Sequence, residues 1–249
     1  MKAMILAAGL GTRLRPLTND RPKALVKVAG RTLLDITLAR LLSFGIREVI
    51  VNVHHFADMV LEFLKANNNF GMRIEISREE ELLDTGGGLK KAAYFFLEDS
   101  RASNEPFVLH NVDVISTIDL GRMVESHTEN RALATLAVQD RATARPLLFD
   151  EHLQLCGRGS GRDGKTEMVR PCPHAEPLAF SGIHVISTNL LKMLSEDGAF
   201  SIIASYLRLA AQGENIHAFR ADEYYWRDLG RLEYVKQVEE DWKQRVFLQ

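Results

Sequence analysis

Between Lys2 and His110 the chain alternates two hydrophobic periods, and this alternation limits its fold more than any other feature. Lys2–Ala8, Glu48–Val53, Met72–Ser77 and Pro106–His110 are short apolar runs of strand length. Between them, apolar residues recur at helical spacing from Thr32 to a stop at Gly45, over Phe56–Lys65 and over Gly88–Leu97. Strands that alternate with helices build βαβ units, so the pattern predicts an α/β protein whose mixed, mostly parallel sheet is flanked by helices, with its ligand side at the strand C-termini. The second half changes texture. Leu133–Val138, Leu147–Phe149 and Leu178–Ile186 read as strands, Asn189–Leu194, Phe200–Gln212 and Arg231–Val246 as helices, and Gly157–Pro177 as an excursion rich in Gly, Pro and charge. At 249 residues, residues 1–249 are expected to form one domain with a sizeable core.

Composition excludes several classes of function. The net charge of −2 gives no field for nucleic acid or an anionic membrane, so any anion site must be local. No apolar segment approaches the roughly 18 residues of a membrane helix, and the N-terminus turns polar too soon for a signal peptide. Two cysteines, Cys156 and Cys172, cannot build a disulfide framework, and a cytoplasmic location is expected. Taken with His152 and His174 they match no zinc-ligand spacing.

The densest chemical signal is LAAGLGTRLRPLTNDRPK, residues Leu6 to Lys23. Small Ala7, Ala8, Gly9 and Gly11 directly after a strand let backbone N–H groups approach a phosphate, and Arg13, Arg15 and Lys23 can add charged hydrogen bonds. That combination describes a triphosphate cradle. It is not a dinucleotide fingerprint, because Leu14 stands where the third glycine would bring helix and strand together, and Val51–His54 offers no acid for a ribose. A literal P-loop pattern does occur at Gly159–Thr166, GSGRDGKT, yet Pro171 and Pro173 deny it the helix whose N-terminus would face the phosphates.

LAAGLGTRLRPLT followed by PKAL resembles the signature of the sugar-1-phosphate nucleotidylyltransferases. Thr85–Gly88 (TGGG), Asn111–Asp113 (NVD), Phe180–Gly182 (FSG) and Trp226–Gly230 (W-x-D-L-G) follow in that family's order, so the resemblance covers nearly the whole chain. In length it is most similar to the compact mannose-1-phosphate guanylyltransferases and N-acetylmuramate-1-phosphate uridylyltransferases. The resemblance implies a Rossmann-like fold with a nucleotide-binding half at about 1–115 and a sugar-binding half at about 116–249. It also implies transfer of a nucleotidyl group from an NTP, with UTP or GTP the expected donor, to a sugar 1-phosphate. By motif position Arg13 would sit on the leaving pyrophosphate and Lys23 near the α-phosphate and the incoming sugar phosphate. Leu6, Ala7, Ala8, Gly9, Gly11, Thr12 and Asn111 would line the nucleotide, Thr85, Gly86 and Gly87 the base, and Gly182 the sugar. Asp113, at a strand end, and Asp228, in a short segment before the last helix, are the expected Mg²⁺ ligands, since this hard cation uses few protein carboxylates beside phosphate oxygens. Val112 stands where relatives commonly carry Gly.

Two other functions stay open at this level: a non-catalytic nucleotide-sugar-binding regulatory module, and a cytidylyltransferase acting on a phosphocholine-like acceptor. The sequence selects neither base nor sugar, and a homodimer is compatible with it. One outcome does follow from the two phosphate-loop patterns. Lys165→Ala should leave NTP affinity within a few-fold by isothermal titration, whereas Arg13→Ala should weaken it; the reverse would assign the phosphates to the P-loop match.

Overall fold

The computed structural model describes residues 1–98, 105–159 and 164–244. Its elements run β1 (Lys2–Leu6), β2 (Lys27–Val28), β3 (Arg31–Thr32), α1 (Leu33–Ser43), β4 (Glu48–Val53), α2 (Ala57–Ala66), β5 (Arg73–Arg78), α3 (Asp84–Lys91), α4 (Ala93–Leu97), β6 (Pro106–Asn111), β7 (Val114–Ser116) and α5 (Leu120–Glu129). They continue as β8 (Ala134–Gln139), β9 (Leu147–Phe149), β10 (Leu155–Gly159), β11 (Thr166–Met168), β12 (Glu176–Ser187), α6 (Asn189–Lys192), α7 (Ile202–Ala211), β13 (Ile216–Arg220), β14 (Trp226–Asp228) and α8 (Leu232–Lys243). The expected ends of the last helix, Arg245 and Val246, and Ser160–Asp163 of the P-loop match lie outside the described residues.

β1 lies between β4 and β6, parallel to both, and β5 extends the row beyond β4. The chain therefore winds outward from β1 in one direction through β4 and β5, then returns to the other flank as β6. Such a reversal opens a crevice at the strand C-termini. β12 closes the far side of β6 in antiparallel register and carries β8 on its other edge, with β13 parallel to β8. Both faces of the parallel strands are covered. Ala3, Ile5, Val49 and Val51 pack with Leu34 and Leu38 of α1, Val60 of α2, Met123 of α5 and Val235 of α8. Met4, Ile50, Phe107 and Leu109 face the opposite way, onto Leu89 of α3, Phe95 of α4 and Tyr206 of α7. This double burial is why these strands read as continuous apolar runs.

Local chemistry sets several boundaries. The Thr32 hydroxyl accepts the Asp35 N–H at 3.1 Å and caps α1, and Gly45, at φ 75°, lets the chain leave it. The Gly157–Pro177 excursion is more ordered than its composition suggests: β10 and β11 form an antiparallel hairpin, and β9 joins them to the N-terminal end of β12. Thr166 thus opens a strand, and no helix follows the P-loop match. No helix among the described residues is long and apolar enough to cross a membrane.

Four histidines are sealed into this fold: His110, His127, His184 and His217. Burial first, then the charge of Arg40, holds His110 down to about 4; burial and His217 lower His127 to about 4; burial and His110 lower His184 to about 3. These rings are neutral in the native state and protonate more readily when unfolded. Their contribution to stability is complete above about pH 6.5 and is lost as pH falls toward 4, at up to about 1.4 kcal/mol per pH unit for each. The urea midpoint should be lower at pH 5 than at pH 7.5, and His127→Gln should shrink the difference.

Candidate active site

The loop after β1 is pinned at three points. Leu14 is fully buried beneath it, the Thr18 hydroxyl donates to the Gly11 carbonyl at 2.9 Å, and Gly11 takes φ 63° with Thr18 where a side chain would project. Fixed in this way, the segment places its basic residues in different surroundings. Lys23, at the start of a short turn after Pro22, is buried and ion-paired with Asp113. Arg13 stays exposed and comes against Gly230 and Asp228.

A cavity of about 370 Å³ opens at the C-terminal ends of β1, β4 and β6. Leu6, Ala7, Ala8, Gly9, Lys23, Asn111 and Asp113 line it, joined by Asn52, Glu79, Asp84 and Thr85. Val112, in the position expected to favour glycine, is accommodated: it is buried, donates its N–H to the Leu6 carbonyl at 3.1 Å and lines the same cavity. Asn52 is the internal brace. Its Oδ1 accepts the Ala7 N–H at 2.7 Å, and its Nδ2 donates to Glu79 Oε1 at 2.7 Å, while Glu79 Oε2 accepts the Leu83 N–H at 3.0 Å. The sequence reading missed both residues, although a single polar residue inside the run EVIVNV was the available signal for Asn52.

Three groups of expected site residues are placed as follows. Thr85–Gly88, expected at the base, lies in the body of α3. Gly86 and Gly87 are buried, both donate their N–H to the Phe200 carbonyl, and neither lines the cavity; among the four, only Thr85 does. The physical reason is close packing: a Cβ on Gly86 would come within 2.3 Å of the Phe200 ring, and one on Gly87 within 2.4 Å of the Gly198 carbonyl oxygen. Gly182, expected at the sugar, sits at φ 75° in the irregular stretch of β12, and a side chain there would strike Val114 and Asn111, so it backs Asn111 from behind. Gly11 and Thr12 shape the loop without lining the cavity.

Asp113 and Asp228 are brought together by a pairing too short to read from sequence. β7 and β14 run antiparallel with Asp228 opposite Val114, and the Leu229 N–H donates to the Asp113 carbonyl at 2.8 Å. Asp228 therefore ends a strand and does not cap α8. Burial first, then the negative charge of Asp113, pushes the Asp228 carboxyl up; Lys23, the Gly230 N–H and Arg13 pull it down. Two carboxylates that repel each other, one with a lysine partner, form a site that gains from a cation. Among the described residues no third His, Cys, Asp or Glu joins them as a metal-binding group. Ligand oxygens and water would have to complete a coordination shell, which suits Mg²⁺. On the far side of Asp228 a second cavity, of about 260 Å³, contains Arg13, Arg141, Trp226 and Arg231.

If the glycines of α3 serve packing, Gly86→Ala should destabilise the fold by about 1–3 kcal/mol through overpacking. The expected readout is a lower urea midpoint at unchanged slope, and an unchanged midpoint would contradict this role.

Residues 2–146 match the family model described as Nucleotidyl transferase. The N-acetylmuramate alpha-1-phosphate uridylyltransferase of Caulobacter vibrioides is 36% identical over 236 residues, covering 92% of this chain and 91% of that protein. The mannose-1-phosphate guanylyltransferase of Mycobacterium tuberculosis is 28% identical over 93% of this chain, which spans 61% of that longer relative. The structure of HddC from Yersinia pseudotuberculosis complexed with GMP-PN superposes with a TM-score of 0.74 over 97% of this chain and 99% of that one, at 22% identity, a likeness of fold. The chain belongs to the nucleotidyl transferase family.

Proposed function

We propose that this chain transfers a nucleotidyl group from an NTP to a sugar 1-phosphate. An oxygen of the sugar phosphate bonds to the α-phosphorus of the NTP. The bond from that phosphorus to the oxygen bridging to the β-phosphate breaks, and pyrophosphate leaves with the electron pair. The single observation that carries this reading is the position of Asp113, Asp228, Lys23 and Arg13 between two cavities, one framed by the parallel strand ends and one by the second half of the chain. Every residue lining the first cavity falls between Leu6 and Asp113, while the second takes all but Arg13 from Arg141 onward. That division supports a nucleotide half at about 1–115 and an acceptor half at about 116–249. The two free cysteines suit a reducing, cytoplasmic setting.

The catalytic problem is to bring two anions together in line, so positioning and charge neutralisation matter more than an enzyme nucleophile. Ala7, Ala8 and Gly9 hold the nucleotide side, with Asn52 keeping the Ala7 peptide in place. Lys23 is desolvated beside Asp113, where an α-phosphate and an incoming phosphate could take over its charge. Arg13, contributed by the nucleotide half and brought beside Asp228, would neutralise the departing pyrophosphate. Asp113 and Asp228 would hold Mg²⁺, which would supply positive charge to the reacting phosphoryl oxygens. UTP and GTP are the donors that the named relatives support.

A pyrophosphate-release screen of the four NTPs against a panel of sugar 1-phosphates tests the reaction class, and no release with any pair would refute it. Asp113→Asn and Asp228→Asn should each lower turnover at least about a hundredfold with the fold intact by circular dichroism. Near-normal rates at limiting Mg²⁺ would remove that residue from the metal site. Arg13→Ala should weaken NTP binding and turnover together, whereas Lys23→Ala should also raise the KM for the sugar phosphate. Equal defects confined to NTP binding would show that the two cations do not divide the phosphates.

A further inference from the structure

Cys156 and Cys172 line neither cavity and take no part in the proposed reaction. The fold nevertheless brings their thiols together. In the strand order β11-β10-β9-β12, the link from β11 to β12 has to pass two intervening strands. It does so at the end of the β9–β10 hairpin, where Arg170 donates to Gln154 at 2.8 Å and pairs with Asp150 at 3.3 Å, both in the turn of that hairpin. Just before, the Val169 N–H donates to the Cys156 carbonyl at 2.9 Å and sets the start of the link against β10. Cys172 follows between Pro171 and Pro173, whose rings restrict the backbone, and its S–H donates to the His174 carbonyl at 3.1 Å.

Cys156 is fully buried, yet it belongs to neither apolar core. Leu155 before it joins the core that contains Tyr206, so strand alternation turns Cys156 to the other face of β10, where its S–H donates to the Leu148 carbonyl at 3.3 Å. On that face it meets the second thiol: after burial itself, Cys172 is the main cause that pushes the Cys156 thiol up to about 12. Cys172 is half-buried, so a reagent can reach one member of the pair while the other is sealed. These are the chain's two cysteines, arranged as an attacking and a resolving thiol.

We propose that Cys156 and Cys172 form a reversible dithiol–disulfide site, oxidised by a low-molecular-weight disulfide of the glutathione class. The Cys172 sulfur, as thiolate, bonds to one sulfur of the small disulfide; that S–S bond breaks, and one small thiol leaves with the electron pair and takes up a proton. Cys156 then gives up its proton, its sulfur bonds to the Cys172 sulfur, and the second small thiol departs. Two cysteine thiols are oxidised and one small disulfide is reduced to two thiols. The high proton affinity of Cys156 keeps it inert to reagents in solution, whereas a mixed disulfide beside it is an intramolecular target. The new bond ties β10 to the link that leads into β12, and so toward Phe180 and Ser181, whose carbonyls hold Arg141 and Trp226.

The test incubates the reduced full chain with oxidised glutathione and, after an acid quench, reads intact mass and thiols titrated in denaturant. The expected product has lost two hydrogens, carries no glutathione and titrates no thiol, and dithiothreitol restores both thiols. Cys156→Ser should trap one glutathione on Cys172, and Cys172→Ser should stay unmodified because the sealed thiol is out of reach. Oxidation should raise the urea midpoint of the unaltered chain and leave that of Cys172→Ser unchanged, since only the former closes a loop. Two thiols remaining in the unaltered chain, a lasting mixed disulfide, or a disulfide between two chains on a non-reducing gel would each overturn the pairing. Should Cys156→Ser fail to fold, Cys172→Ser on the half-buried link still decides, because glutathione on its Cys156 would overturn the assignment of the attacking thiol.

Discussion

Everything at the proposed active site depends on β1 being buried on both faces. Ala3 and Ile5 face one helical layer and Met4 the other, so the strand cannot slip by one residue without exposing its whole apolar set. Its register against β4 and β6 is thereby fixed, with Leu6 level with Asn52 on one side and Asn111 on the other. The polar residues of the first cavity are neighbours because the apolar ones behind them have nowhere else to go. Asn52 turns this register into a hydrogen-bond chain that runs from the Ala7 peptide to Glu79 and on to the start of α3. A side chain on Gly88 would press on both ends of the central link, at 2.7 Å from Glu79 Oε1 and 2.8 Å from Asn52 Nδ2.

The charges obey a different logic. Asp113, Asp228 and Lys23 are held by three separate parts of the chain at partial or full burial, an arrangement that stabilises little by itself. On the proposed reading its value would lie in exchange: the lysine paired with Asp113 would turn to phosphate once another cation took its place, and the Asp228 carboxyl, raised by burial and by its neighbour, would gain from the same event.

How much of this was legible in the sequence follows from where the determining interactions lie. β4 was readable to the residue because burial on both faces leaves an unbroken apolar run, and α1 because its cap, period and terminal glycine agree. α5 escaped notice since its buried stripe of Leu120, Met123 and His127 contains a residue that counts as polar. β7 and β14 are three residues each and exist only through their partner, so no local pattern could announce that Asp113 and Asp228 meet. The glycines of α3 show the reverse failure. The helical spacing was legible only from Gly88, because the glycines before it answer a demand for absent side chains beside Phe200 and Gly198, a tertiary demand that no propensity records.

The long strand β12 also bears on how the molecule is made. It supplies the antiparallel neighbour for β6, pairing Ile183 with His110 and Ser187 with Pro106. As the chain leaves the ribosome, the first half can assemble β5, β4, β1 and β6, but one flank of β6 stays unsealed until residues beyond Ser187 have been synthesised. At about 5–20 residues per second that interval lasts several seconds. During it a nascent chain presents one unpaired edge of an apolar strand, Phe107–Leu109, to its surroundings, an open template for pairing with a neighbouring polysome product. Vectorial synthesis thus gives this architecture a window of aggregation hazard that refolding of the complete chain, with β12 always tethered nearby, does not share.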